Sequence, residues 1–201
     1  MGWASPQLAI TTKNIMVFID GSNFLAGYCE YQKEKNKKLI IDYPCLKREL
    51  LMKARGDKRH ILFEHIKTYY YTSEGIPQKV KSGQGLDISS DDIKIFKESL
   101  KQNHVKIISK PKINGKEKGV DVALAVDLLA MAYSNAYDYV IIVSGDADFI
   151  NAIEEVKRFG KIVYIASFKS RFSQELLMHV DGVFFLDSMA GTFLNEPNKN
   201  I

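Results

Sequence analysis

Short unbroken apolar runs alternate along the chain with stretches whose apolar residues recur every three or four positions. Val140–Val143 reads Val-Ile-Ile-Val, a β-branched run suited to a strand buried on both faces of a parallel sheet. It breaks at Ser144-Gly145 and presents Asp146 and Asp148. Phe149, Ile153, Val156 and Phe159 follow at helical spacing, and Gly160 is placed to stop that helix. Asn14–Asp20 is a second buried strand ending on an aspartate, with Gly21-Ser22-Asn23 as its turn and Phe24–Tyr31 as a short helix. Glu30–Lys38 reads as a charged surface loop. Tyr43–Ala54 has helical spacing, and His60–Tyr71 reads as a strand. Thr72–Leu86 is a polar loop rich in Gly and Lys. Ser89 or Ser90 can cap a helix to Asn103, followed by a strand at Val105–Ser109 and a basic loop at Pro111–Lys118. Gly119–Tyr133 is a very apolar helix carrying Asp121 and Asp127. Lys161–Ala166 reads as a strand, Ser170–His179 as a helix and Gly182–Leu186 as a last strand. The polar tail after Gly191 is expected to fray.

Strands alternating with helices predict a doubly wound α/β domain with a mostly parallel central sheet between two helical layers. The expected organisation is a loose leader over residues 1–13, one domain over 14–190 and a tail over 191–201. No apolar run approaches the ~20 residues of a membrane span. The N-terminus lacks a secretory pattern, and Pro6 breaks the myristoylation pattern. Two cysteines, Cys29 and Cys45, make neither a disulfide framework nor a metal finger, so a reduced, cytoplasmic protein is expected. A net charge of +4 permits a polyanionic partner without demanding one. A homodimer is left open.

The candidate chemistry is acidic. Asp20 and Asp146 each follow a buried strand, which puts both at the carboxyl edge of the sheet, where ligands bind in open α/β folds. Asp121 shares a helical stripe with Leu124, Ala125 and Leu128, so a core-facing stripe would aim its carboxylate at that edge. Helix capping or dipole complementation would account for one such acid. Several together repel one another unless a cation lies between them. Oxygen ligands suit Mg²⁺ or Mn²⁺, and the scattered His60, His65, His104 and His179 argue against zinc. Asp127 lies two-thirds of a turn round from Asp121 and reads as a structural acid.

Asn23 could hydrogen-bond a carboxylate or a phosphate, or simply make the turn. Ser144 offers a hydroxyl at the same edge, with the same plain alternative. Lys118, and with it Lys112 and Lys116, could meet a phosphate backbone, as could Lys79–Lys81, Lys169 and Arg171. Tyr69–Tyr71 could stack bases, although core or edge packing is the commoner use of such a run.

Three segments resemble the motifs of the NYN family, within the PIN-like group of nucleases. They are Phe18-Ile19-Asp20-Gly21-Ser22-Asn23, Lys118–Leu128, and Ser144-Gly145-Asp146-Ala147-Asp148-Phe149. The resemblance spans about Asn14 to Leu186 and departs from many relatives in Ile150-Asn151, where proline is common. It implies a Rossmann-like sheet in the order 3-2-1-4-5, an acidic Mg²⁺ or Mn²⁺ pocket and ribonuclease activity. By motif, the metal-binding acids fall on Asp20, Asp121, Asp146 and Asp148, with Asn23 in support.

Two functions follow. One is a metal-dependent endoribonuclease acting on single-stranded RNA. The other is a non-catalytic RNA-binding or protein-interaction module on the same fold. A haloacid-dehalogenase-type phosphatase would need an acid where Ser22 stands, and a dinucleotide-binding domain would need Gly-x-Gly-x-x-Gly after the first strand.

Overall fold

The structure, a computed structural model, describes residues 9–73, 90–111 and 119–197. Its centre is a six-stranded sheet of β1 (Thr11–Asp20), β3 (Ile61–Ser73), β4 (Lys106–Lys110), β5 (Tyr139–Val143), β6 (Ile162–Ser167) and β7 (Gly182–Phe185). The spatial order is β4-β3-β1-β5-β6-β7, and every neighbouring pair is parallel. Counting only these strands, the order is 3-2-1-4-5-6, which is the expected order with one more strand at the edge. A separate two-stranded antiparallel ladder joins β2 (Ile40–Ile41) to β8 (Leu194–Asn195).

The pleat sends alternate side chains of each central strand into two cores. Ile15, Val17 and Ile19 of β1, with Ile141 and Val143 of β5, pack against α1 (Gly21–Lys35), α2 (Tyr43–Arg55), α3 (Ser90–Gln102) and α6 (Ala190–Phe193). Met16, Phe18, Val140 and Ile142 pack against α4 (Val120–Tyr133) and α5 (Ile150–Arg158). Two covered faces explain why these strands are apolar throughout instead of alternating. Gly160, at φ +73°, ends α5 in the left-handed region. Among the described residues, no helix is long and apolar enough to cross a membrane.

The structure departs from the sequence expectations in four places. The charged stretch 30–38 is helical as far as Lys35, because α1 turns Tyr28 and Gln32 inward. There the Gln32 side chain accepts from the Leu39 amide at 2.7 Å and the Tyr28 hydroxyl donates to the Leu39 carbonyl. Ser170–His179 is not a helix but two 3-10 turns, Lys169–Arg171 and Gln174–Met178. Residues 11–13 belong to β1 and not to a leader. The tail does not fray at its start: Phe193 is fully buried and Leu194 pairs with Ile41. The polar loop beyond Ser73 and the basic loop beyond Pro111 lie outside the described residues until Ser90 and Gly119.

Candidate active site

Parallel register brings the ends of three strands level. Asp20 pairs with Tyr71 of β3, while Ile19 pairs with Val143 of β5, one residue before Ser144. Asp20 is the last residue of β1 and the N-cap of α1, and its Oδ1 accepts the Ser22 and Asn23 amides, both at 3.1 Å. Its Oδ2 accepts the Ser144 hydroxyl at 3.0 Å. Only 3% of Asp20 is exposed. Burial pushes its pKa up from 3.8 to about 6; the amide and hydroxyl bonds pull the other way, and the negative charge of Asp121 adds to the rise.

Asp121 stands in the first turn of α4, whose Leu124 and Leu128 are buried as expected. The aspartate itself is exposed at the mouth of the site, near enough for its charge to act on Asp20. Asp146 is half-buried and caps the 3-10 turn Ala147–Phe149, where its Oδ1 accepts the Asp148 amide at 2.9 Å. Asp148 is exposed. Asn23 joins the two acidic turns, since its Oδ1 accepts the Gly145 amide at 3.1 Å.

The four expected aspartates lie along one edge of the sheet, at the ends of β1 and β5 and in the first turn of α4. Among the described residues, no three His, Cys, Asp or Glu side chains are gathered closely enough to hold a metal ion. Asp20 and Asp146 each accept capping amides on one oxygen, and Asp148 is exposed. The oxygen-only donor set still fits a hydrated Mg²⁺ or Mn²⁺, which is commonly held by one or two carboxylates with water in the remaining positions. Asp20 and Asp121 are the pair whose charges interact.

Ser144 lies between the two strand ends. Its side chain is buried, donates to Asp20 and accepts the Asp146 amide at 3.3 Å, which positions both acids. Asp127 is the structural acid that its position indicated, accepting the Tyr71 hydroxyl at 2.9 Å. Tyr70 and Tyr71 are buried, and Tyr69 and Tyr71 stack on Phe18, which leaves the tyrosine run to packing. Lys112, Lys116 and Lys118 lie outside the described residues, as do Lys79–Lys81.

Sequence reasoning missed the wall opposite the acidic turn. The segment after β6 folds back over Gly145, so that a Cβ on Gly145 would lie 2.1 Å from the Arg171 carbonyl oxygen. Ser173 donates its amide to the Gly145 carbonyl at 2.9 Å. Between the two segments lies an open cleft of about 400 Å³ lined by Asn23, Asp146, Arg171 and Phe172 among others. Nothing periodic in Phe168–Ser173 marks this role, because a long-range backbone approach creates it.

Comparison with known proteins agrees with this architecture. A search of curated protein sequences returned no match. The crystal structure of a protein of unknown function from Vibrio parahaemolyticus is similar over 90% of this chain and 96% of its own, at 21% identity and a TM-score of 0.60. Residues 14–187 match the NYN domain, over the stretch that holds all four candidate aspartates. The chain belongs to the NYN domain family.

Proposed function

We propose that the protein is a metal-dependent endoribonuclease hydrolysing phosphodiester bonds of single-stranded RNA at the edge formed by Asp20, Asp121 and Asp146. NYN domains have the PIN-like nuclease fold, and the reading rests on that membership together with one observation. Asp20 is an almost wholly buried carboxylate with its pKa raised to about 6, and a second carboxylate, Asp121, adds to that rise. Such an arrangement is costly with both groups ionised and is relieved by a divalent cation.

Asp20 and Asp121 would hold the cation, with Asp146 at the next strand end and Asp148 beside it. A bound Mg²⁺ or Mn²⁺ supplies charge neutralisation at the phosphate and an acidified water. The protein supplies orientation. The Ser22 and Asn23 amides and the Ser144 hydroxyl fix the Asp20 carboxylate, and Asn23 sets the spacing between the two acidic turns. Lys169 and Arg171, both exposed on the far wall, bring positive charge to the RNA backbone.

The lack of a three-acid group among the described residues favours a second reading, an RNA-binding or protein-interaction module without catalysis. Cleavage of end-labelled RNA with Mn²⁺ or Mg²⁺ separates the two. Asp20→Asn, Asp121→Asn and Asp146→Asn should each remove most cleavage with the circular-dichroism spectrum unchanged, and chelator should do the same to the wild type. Double changes should cost little beyond single ones. Equal cleavage by wild type and Asp20→Asn marks a contaminant and overturns the enzyme reading. RNA binding without cleavage supports the second reading.

A further inference from the structure

We infer that the cleft between the acidic turn and Phe168–Ser173 is a nucleotide subsite, with the Phe172 ring as the platform for one base of the RNA. This rests on the RNA reading above and names where a nucleotide beside the reacting phosphate would sit. The cleft opens directly on Asp146 and Asn23, so whatever fills it lies next to Asp146. Its opposite wall is formed by Ser170, Arg171, Phe172 and Ser173, and an aromatic residue among polar ones is the kind of surface on which single-stranded nucleic acid stacks.

The platform is held in place before any ligand arrives. Phe172 is half-buried and packs edge-on against Phe185, with ring centroids 5.3 Å apart and an interplanar angle of 87°. Ser173 is bonded to Gly145 on one side of it. On the other side, Lys169 donates its amide to Asp187 at 2.8 Å. The Arg171 guanidinium is bridged through Nη2 to Glu30 at 2.7 Å, which steadies a group with five N–H donors. A fixed ring loses little entropy when a base stacks on it. The volume of about 400 Å³ falls within the range of small-ligand clefts. With Tyr69–Tyr71 committed to packing, Phe172 is the aromatic side chain that lines this cleft.

The test is an abasic scan read by fluorescence anisotropy. The full chain is titrated, in Ca²⁺ and separately in chelator, with a labelled RNA decamer and with decamers lacking one base at each position in turn. Wild type should lose roughly tenfold in affinity at one or two adjacent positions. Phe172→Leu should lose a similar factor on intact RNA and show a flat scan, since ring and base act as one interaction. Phe172→Trp should restore both affinity and position dependence. A flat scan with wild type, or Phe172→Leu binding as tightly as wild type, overturns the subsite while leaving RNA binding standing. Equal weakening of Phe172→Leu across intact and abasic RNAs, with the scan profile kept, shows a structural role for the ring and also overturns it. Wild type that binds no RNA overturns the subsite and the RNA reading together.

Discussion

The Ser144 hydroxyl donates to Oδ2 of Asp20 across 3.0 Å, and its oxygen accepts the Asp146 amide at 3.3 Å. One buried hydroxyl thus links the ends of β1 and β5 and orients two candidate acids at once. Hydrogen bonds to ionised groups are the stronger kind. Ser144→Ala should therefore cost about 1–3 kcal/mol at pH 7.5, and less at pH 4, where Asp20 is protonated. Urea denaturation in chelator at the two pH values measures the difference. An equal cost at both would mean that the hydroxyl serves packing and not the carboxylate.

Asp20 makes the metal-free protein pH-sensitive in a stated direction. Its folded pKa of about 6 lies above the ordinary 3.8 because of burial. A raised folded pKa contributes stability that is present in full below the unfolded value and lost as pH rises through the folded one. In chelator, Asp20→Asn should be more stable than wild type at pH 7.5 by on the order of 2–3 kcal/mol, because an amide caps α1 without the charge. The gain should shrink towards zero near pH 4. Added Mn²⁺ should raise the melting temperature of wild type more than that of the variant. A variant less stable than wild type at pH 7.5 would show that capping outweighs desolvation at this site.

Gly145 is where the acidic turn touches the far wall. A Cβ there would meet the Arg171 carbonyl oxygen at 2.1 Å and the Ser167 hydroxyl at 2.6 Å, with backbone as the first obstacle. Gly145→Ala should destabilise by about 1–3 kcal/mol, the usual range for overpacking, and should also impair RNA cleavage by shifting Asp146. Gly191→Ala is the control, since nothing lies within 4 Å of its added carbon. It should stay within about 1 kcal/mol of wild type. Thermal melts of both variants check the contrast.

The segment after Gly191 is structural. Phe193 is fully buried in the core shared by α1, α2 and α3, and its carbonyl accepts the Asp42 amide at 2.8 Å. Phe193→Ala should cost about 3–5 kcal/mol in urea denaturation. A change under 1 kcal/mol would return this segment to the status of a loose tail.

The parts legible in the sequence were those with a local cause. Val140–Val143 and Asn14–Asp20 are apolar on both faces because each strand is covered on both sides, and a short window of residues carries that information. Strand, acidic turn and helix are likewise contiguous, so the sequence alone puts Asp20 and Asp146 at the sheet edge and sets Asp127 apart from Asp121. Tertiary structure decided what depended on distant partners. The charge of Glu30–Lys35 masked a helix whose buried side is completed by Leu39. The polar tail concealed Phe193 and Leu194, which need Asp42 and Ile41 opposite them. Ser170–His179 has helix-compatible residues, yet its start is drawn into 3-10 geometry where Ser173 bonds back to Gly145. The same approach makes the cleft at Phe172, because it brings backbone segments together that are far apart in sequence.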